Sequence, residues 1–377
     1  DMATYKSEFL SHYYEHRRRP RSAFAFGLIH YWARMASLIP DAVNFVTQTP
    51  GLSALAKLAS GMPLARRIPV FAPCTFTDWF ARRPPVRRDP ARRVILWPDT
   101  FNNHFHPTTA IAAVRALERA GFDVTVPAQP LCCGRPLYDY GMLDTAKRWL
   151  QEILAALAPD IQGGVPIVGL EPSCVAVFRD EMRELLPDRE DAKRLASQTF
   201  MFSEFLDRHG VAIPKLYRRA LVHGHCHHKA IVKLDAEQQA LKSMGLDFEV
   251  LDSGCCGMAG SFGFEREHYD VSMKVGERVL LPAIRRAPKD TLIVADGFSC
   301  RTQIAQATDR RALHLADLIE MAARDGVRGP SGDYPESRYV PEYGARIRLE
   351  PAALAAGALV GAVIGATAMR MHRRTRE

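Results

Sequence analysis

Several signals that would place this chain in a familiar class are missing. It has no Gly-x-Gly-x-x-Gly fingerprint, so it carries no dinucleotide-binding turn of its own. No secretory leader opens it, and 377 residues can build a core without covalent staples. Its eight cysteines are therefore read as thiols of a reducing cytoplasm rather than as a disulfide framework. The formal charge of +8 lies largely in three runs, Arg17 to Arg21, Arg82 to Arg93 and Arg370 to Arg376. Aromatic residues do not interleave with them in a stacking pattern. That argues against nucleic acid and for solvated linkers or a patch facing a partner or membrane surface.

What is present is a duplicated cysteine motif. Cys132-Cys133-Gly134 and Cys255-Cys256-Gly257 are each followed by a lone cysteine, Cys174 and Cys300. The intervals Cys133 to Cys174 and Cys256 to Cys300 are 41 and 44 positions. Adjacent cysteines seldom both profit from burial, so a repeated pair points to a metal or cluster site. Only Cys74 falls outside the repeat.

The pattern along the chain predicts an α/β fold of two pseudo-equivalent repeats with parallel sheets and flanking helices. Residues 1–62 read as a helical segment and 63–93, rich in Pro and Arg, as a linker. The first repeat spans 94–210. Val94 to Trp97, Val124 to Val126 and Pro166 to Leu170 are its strands, and Thr108 to Ala120 and Leu143 to Leu157 are its helices. The second spans 211–324, with strands at Ala220 to Val222, Phe248 to Leu251 and Leu292 to Ala295. Its helices are Ala236 to Met244 and Tyr269 to Arg285. Residues 325–350 read as another linker and 351–377 as an apolar helix with a basic tail.

Pro351 to Met369 is uncharged, with Gly357, Gly361 and Gly365 at the spacing of close helix packing in membranes. A helix that long reaches roughly 28 Å, about one bilayer core. Its alanine-rich composition and the arginines beyond it weigh against a full span. Attachment of a cytoplasmic protein to the inner membrane is the expectation.

Ligands in parallel sheets bind beyond the carboxyl ends of the strands, where these cysteines fall. Cys226, Cys255, Cys256 and Cys300 supply four thiolates, enough for a [4Fe–4S] cluster, with zinc as the alternative. Gly257 allows the close turn that lets neighbouring thiols face one site, and Gly260 and Gly263 are expected to hold amides near the sulfurs. His225 and His227 are expected on one face opposite Cys226, where they would tune the site or handle protons. His223 and His228 are assigned plain structural roles. The first repeat has Thr100 near the position of Cys226, leaving Cys132, Cys133 and Cys174. Those three could hold zinc with an open position, hold a cluster with help from Cys74, or hold nothing. No residue of the chain is assigned as catalytic.

The run Cys255-Cys256-Gly257-Met258-Ala259-Gly260-Ser261-Phe262-Gly263-Phe264-Glu265, followed by His268-Tyr269 and Ser272, resembles the cysteine-rich CCG domains. These occur in the B component of heterodisulfide reductase, the glycolate oxidase iron–sulfur subunit and the C component of anaerobic glycerol-3-phosphate dehydrogenase. Residues 1 to about 320 resemble the C-terminal portion of bacterial fusions of an FAD-linked oxidase with an iron–sulfur oxidoreductase. D-2-hydroxyglutarate dehydrogenases are among them.

The resemblance implies an iron–sulfur module of a flavin-dependent D-2-hydroxy acid dehydrogenase, inactive alone and passing electrons to a quinone or other acceptor. Its partners would be an FAD-linked oxidase domain or subunit and a ferredoxin-like iron–sulfur domain, with residues 1–62 as the end of that helical domain. The chain opens at Asp1, just after the position of a cysteine-proline ligand motif in those fusions. That is consistent with a fragment, a processed piece or a split gene product. One departure is informative: Cys300-Arg301-Thr302-Gln303 and Cys174-Val175-Ala176-Val177 lack the last cysteine of a Cys-x-x-Cys ending. A four-thiolate site therefore fits better than a five-thiolate non-cubane cluster. A zinc docking domain and a thiol–disulfide enzyme of the heterodisulfide reductase kind remain the alternatives.

Overall fold

The computed structural model describes residues 2–84 and 89–341. Two parallel sheets form from seven strands: β1 (Arg93–Leu96), β2 (Asp123–Thr125), β3 (Ile167–Gly169), β4 (Thr199–Met201), β5 (Arg219–Val222), β6 (Asp247–Val250) and β7 (Leu292–Val294). The first sheet has the order β2-β1-β3-β4 and the second β6-β5-β7. Every pairing is parallel, as alternating strands and helices require. Leu313 bridges Val294 in parallel where β4 stands in the first sheet, so the two halves repeat one topology. The two-repeat α/β reading holds.

The strands are short and apolar because both faces are covered. Val94, Ile95 and Leu96 are fully enclosed, as are Leu292, Ile293 and Val294. One core runs through both halves: Val94, Leu96 and Val168 of the first sheet join Val222, Leu292 and Val294 of the second. Helices Pro107–Arg119 and Leu315–Asp325 pack across this junction. The halves are thus held as a single body by apolar burial, each enclosed leucine or valine contributing ~2 kcal/mol. Polar links add to it: Arg301 donates to Asn102 Oδ1 at 2.8 Å and to Thr109 Oγ1 at 3.0 Å.

Three expectations need correction. The helix expected over Tyr269 to Arg285 is two, Tyr269–Glu277 and Leu280–Arg286. Pro282 offers no N–H to the carbonyl of Arg278, and the chain breaks at Val279. Segment 63–93 is no open linker among its described residues: it carries helix Phe76–Arg82 and buries Arg66, Phe71, Ala72 and Phe76. Asn44 fixes it by exchanging hydrogen bonds of 2.8 and 2.9 Å with the backbone of Phe71. Beyond 325 the chain is also anchored, by a buried ion pair of 2.7 Å between Arg310 and Glu336. The N-terminal region is helical as expected, in five helices from Met2–Tyr13 to Leu52–Ser60. Among the described residues no helix is long and apolar enough to cross a membrane. The apolar segment 351–377 lies outside the described residues.

Candidate metal centre

All four second-half cysteines gather beyond the carboxyl ends of β5, β6 and β7. β5 ends at Val222, and the chain then passes His223-Gly224-His225 and enters a helical turn at Cys226. β6 leads to Cys255 and Cys256, and β7 leads to helix Phe298–Ala307, which carries Cys300 in its first turn. The thiols form a continuous chain of hydrogen-bonding contacts, Cys226 to Cys255 to Cys256 to Cys300. Cys226 is exposed, Cys255 half-buried, and Cys256 and Cys300 buried.

Gly257 has the backbone that this convergence needs. Its φ is +93°, and its N–H donates to Cys255 Sγ at 3.3 Å. The hydrogen bond from Cys226, then those from Cys256 and this amide, hold the Cys255 thiol down at about 2. Hydrogen bonding with Cys256 also lowers Cys300 well below the usual thiol range, helped by His223 and His225. Cys226 and Cys256 move the other way, each raised first by its bond to Cys255. Proton sharing within the set thus pulls Cys255 and Cys300 down and pushes Cys226 and Cys256 up.

The histidines are placed differently from expectation. The rings of His225 and His227 do stack, 5.3 Å apart. Cys226 lies with them rather than opposite, since the three ligand atoms fall within 4.8 Å of one another. The physical reason is that the strand has already turned into a helix at Cys226, so strand alternation no longer applies. His225 lies flat over Gly297, where an added Cβ would sit 2.3 Å from its Cδ2. His223, expected to be structural, touches the centre: its ligand nitrogen groups with Cys256 and Cys300 within 4.8 Å, while Nδ1 contacts Ser253 Oγ at 2.6 Å.

The Gly263 amide does not turn to a sulfur as expected. Gly260 makes room for Asp139, and the Gly263 amide donates to Met258 O at 2.9 Å.

Sequence reasoning also missed Arg66. It is 2% exposed, donates to Gly263 O at 2.8 Å and to Ser272 Oγ at 2.9 Å, and stacks on Tyr269. Burial lowers its pKa, and the charges of Tyr269 and Cys256 oppose that fall. The arginine thus puts a buried positive charge near Cys256. Its place in a Pro/Arg-rich stretch hid it.

The first-half cysteines have the opposite surroundings. Cys133 and Cys174 lie 2.9 Å apart, and Thr100, standing where the second half has Cys226, donates to Cys132 Sγ at 3.6 Å. The hydrogen bond with Cys133 works to lower the Cys174 pKa. Burial and the charges of Asp99, Cys132 and Glu171 outweigh it and push the thiol up to about 12. Cys132 is raised as well, by its hydrogen bond with Cys133 and then by burial. Asp99 and Glu171 thus oppose thiolate formation at Cys174, a charge environment that no thiol of the second half has. Cys74 takes no part in either thiol cluster; its Sγ contacts Thr75 O at 3.5 Å.

A cleft between the N-terminal helices and the cysteines opens the second centre to its surroundings. Arg19, Arg135, His227, Cys226 and Cys255 are on its walls. Arg135 is ion-paired with Glu181.

The chain is similar to known proteins. The cysteine-rich domain family, CCG, matches residues 100–179 and 222–305, one segment in each half. The chain is 27% identical over 287 residues to the C component of anaerobic glycerol-3-phosphate dehydrogenase of Escherichia coli, covering 74% of this chain and 72% of that one. It is 26% identical to D-2-hydroxyglutarate dehydrogenase of Pseudomonas putida, covering 85% of this chain but 32% of that protein. It is 30% identical to lactate utilization protein A of Halalkalibacterium halodurans, covering 62% of this chain and 98% of that one.

Proposed function

The chain belongs to the cysteine-rich CCG domain family, and from that premise we propose that it is the iron–sulfur electron-transfer module of a flavin-dependent D-2-hydroxy acid dehydrogenase. The observation that carries this reading is the convergence of Cys226, Cys255, Cys256 and Cys300 from three adjacent strand ends. The donor set fits: one thiolate per iron, two of them buried, an amide on Cys255 and a guanidinium near Cys256. A [4Fe–4S] cluster held there would supply one-electron transfer.

The chain's own residues set the conditions for that transfer. Gly257 N–H and Arg66 place positive potential near the sulfurs, which favours the more negative, reduced state. Burial of Cys256 and Cys300 excludes water from one side. Exposed Cys226 and the histidine pair face the cleft, making that side the route for electrons.

The chain has no flavin-binding fingerprint and spans 32% of the Pseudomonas dehydrogenase. An FAD-linked oxidase domain or subunit, with a ferredoxin-like iron–sulfur domain, would therefore deliver the electrons. A quinone or other acceptor would receive them, with the membrane surface as the meeting place. On this reading the chain alone has no dehydrogenase turnover.

Anaerobic purification followed by iron, sulfide and zinc analysis tests the proposal. The expected result is about four iron and four sulfide per chain, with broad visible absorbance that bleaches on reduction. A colourless protein with thiolate-bound zinc would replace it with the docking-domain reading. A metal-free protein that reduces a substrate disulfide would replace it with the thiol–disulfide reading.

A further inference from the structure

We propose that His228, Glu237 and Asp296 form a second, sulfur-free site for a divalent cation of the zinc class. The three come from different elements: His228 opens the wide helical turn His228–Val232, Glu237 lies in the first turn of helix Asp235–Met244, and Asp296 follows β7. Their ligand atoms all lie within 4.8 Å of one another. The residues are 1%, 3% and 3% exposed.

Two features call for a cation there. His228 Nδ1 lies 3.1 Å from Glu237 Oε2 but out of line for a hydrogen bond, and neither ring nitrogen has a hydrogen-bond partner. A fully enclosed imidazole with neither nitrogen hydrogen-bonded is costly unless one of them binds something. Glu237 and Asp296 also stand together, and among the described residues their ion-pair partners are His228 and His314. Two enclosed carboxyl groups without a lysine or arginine beside them lack the positive partner that a divalent ion would supply.

His314 supplies the outer support that metal ligands have. Its Nδ1 accepts the N–H of Ala316 at 3.0 Å, so the proton is on Nε2. Nε2 then donates to Leu170 O at 3.1 Å and faces Asp296 Oδ1 at 3.5 Å. Leu315 N–H donates to the same Oδ1 at 3.1 Å. Oδ1 is thereby occupied and Oδ2 is left for a cation, with the carboxylate held in place.

One imidazole and two carboxylates suit zinc, with water completing four-coordination. Since His228 is two residues past Cys226 and Asp296 four before Cys300, the ion would fix the spacing of two thiolate-bearing turns. The site involves no sulfur and stands whether the cysteines hold iron or not.

The test is zinc content and zinc K-edge X-ray absorption of the full chain, purified anaerobically from zinc-supplemented cells. One equivalent of zinc with only nitrogen and oxygen neighbours is expected, and it should be lost in both His228→Gln and Glu237→Gln. Iron, measured on the same samples, reports the cysteine centre separately. Absence of zinc, zinc with sulfur neighbours only, or zinc retained in both variants overturns the proposal. Should the variants fail to fold, chelator-treated wild type is titrated with zinc. A rise in its thermal midpoint supports the site, and an unchanged midpoint overturns it.

Discussion

A methyl group on Gly257 would sit 2.1 Å from the backbone carbonyl oxygen of Ser272. That carbonyl belongs to helix Tyr269–Glu277 and cannot swing aside, and the φ of +93° is itself unfavourable for any side chain. Gly257→Ala should therefore lower stability by at least ~2 kcal/mol and displace the amide that bonds Cys255. Urea unfolding and metal content measure the two effects. A variant of wild-type stability and metal content would contradict the packing described.

The two cysteine sets should behave differently on substitution. Serine at Cys226, Cys255, Cys256 or Cys300 is expected to abolish or strongly reduce the visible absorbance of the purified protein. Serine at Cys132, Cys133 or Cys174 should leave it within about a fifth of wild type, because Asp99 and Glu171 oppose a thiolate at Cys174 and Thr100 stands where the second half has a fourth cysteine. Absorbance per chain across the seven variants decides the matter.

Arg66 bears on the reduction potential. Replacing it with Gln removes a buried positive charge that interacts with Cys256 and should make the centre harder to reduce. A shift on the order of 60 mV in the negative direction is expected, a tenfold change for a one-electron couple. Arg66→Lys, which keeps the charge, should recover most of it. Potentiometric titration followed by electron paramagnetic resonance reads both. An unmoved potential would mean the guanidinium serves packing alone.

Asp99 gives the protein a pH response with a defined sign. Burial, reinforced by Glu171 and opposed by Asn102 and Arg301, raises its carboxyl to about 6 from an ordinary 3.8. Between those values the folded protein holds a proton that the unfolded chain has lost, so this group's contribution to stability falls as pH rises. The stability of wild type relative to Asp99→Asn should decrease by about 2 kcal/mol from pH 4 to pH 7. Denaturant unfolding at intervals across that range gives the difference, and a constant difference would refute the assignment.

The repeat and its strands were legible because the signals are local. Val94-Ile95-Leu96 and Leu292-Ile293-Val294 read as enclosed strands without knowledge of their neighbours. Gly245, with φ +80°, marks the end of helix Asp235–Met244 where the sequence placed it. β4 escaped notice, because three residues, Thr199-Phe200-Met201, carry too little pattern to separate a strand from a loop. Arg66 escaped for a different reason. Its partners, Gly263 and Ser272, lie about two hundred positions away, and no spacing rule connects them.

By itself the sequence determined the duplicated parallel architecture and the four sulfurs of the second half, since strand periodicity and cysteine spacing are properties of the chain. The sequence also showed three thiols against four, but only the tertiary structure decided which charges stand beside each set. Arg66 reaches the second cysteine cluster from a distant segment and His223 of the β5 end closes on Cys256 and Cys300, whereas Asp99 and Glu171 act on Cys174 in the first. Charge acts through space, so the character of each cluster follows from what folding brings beside it.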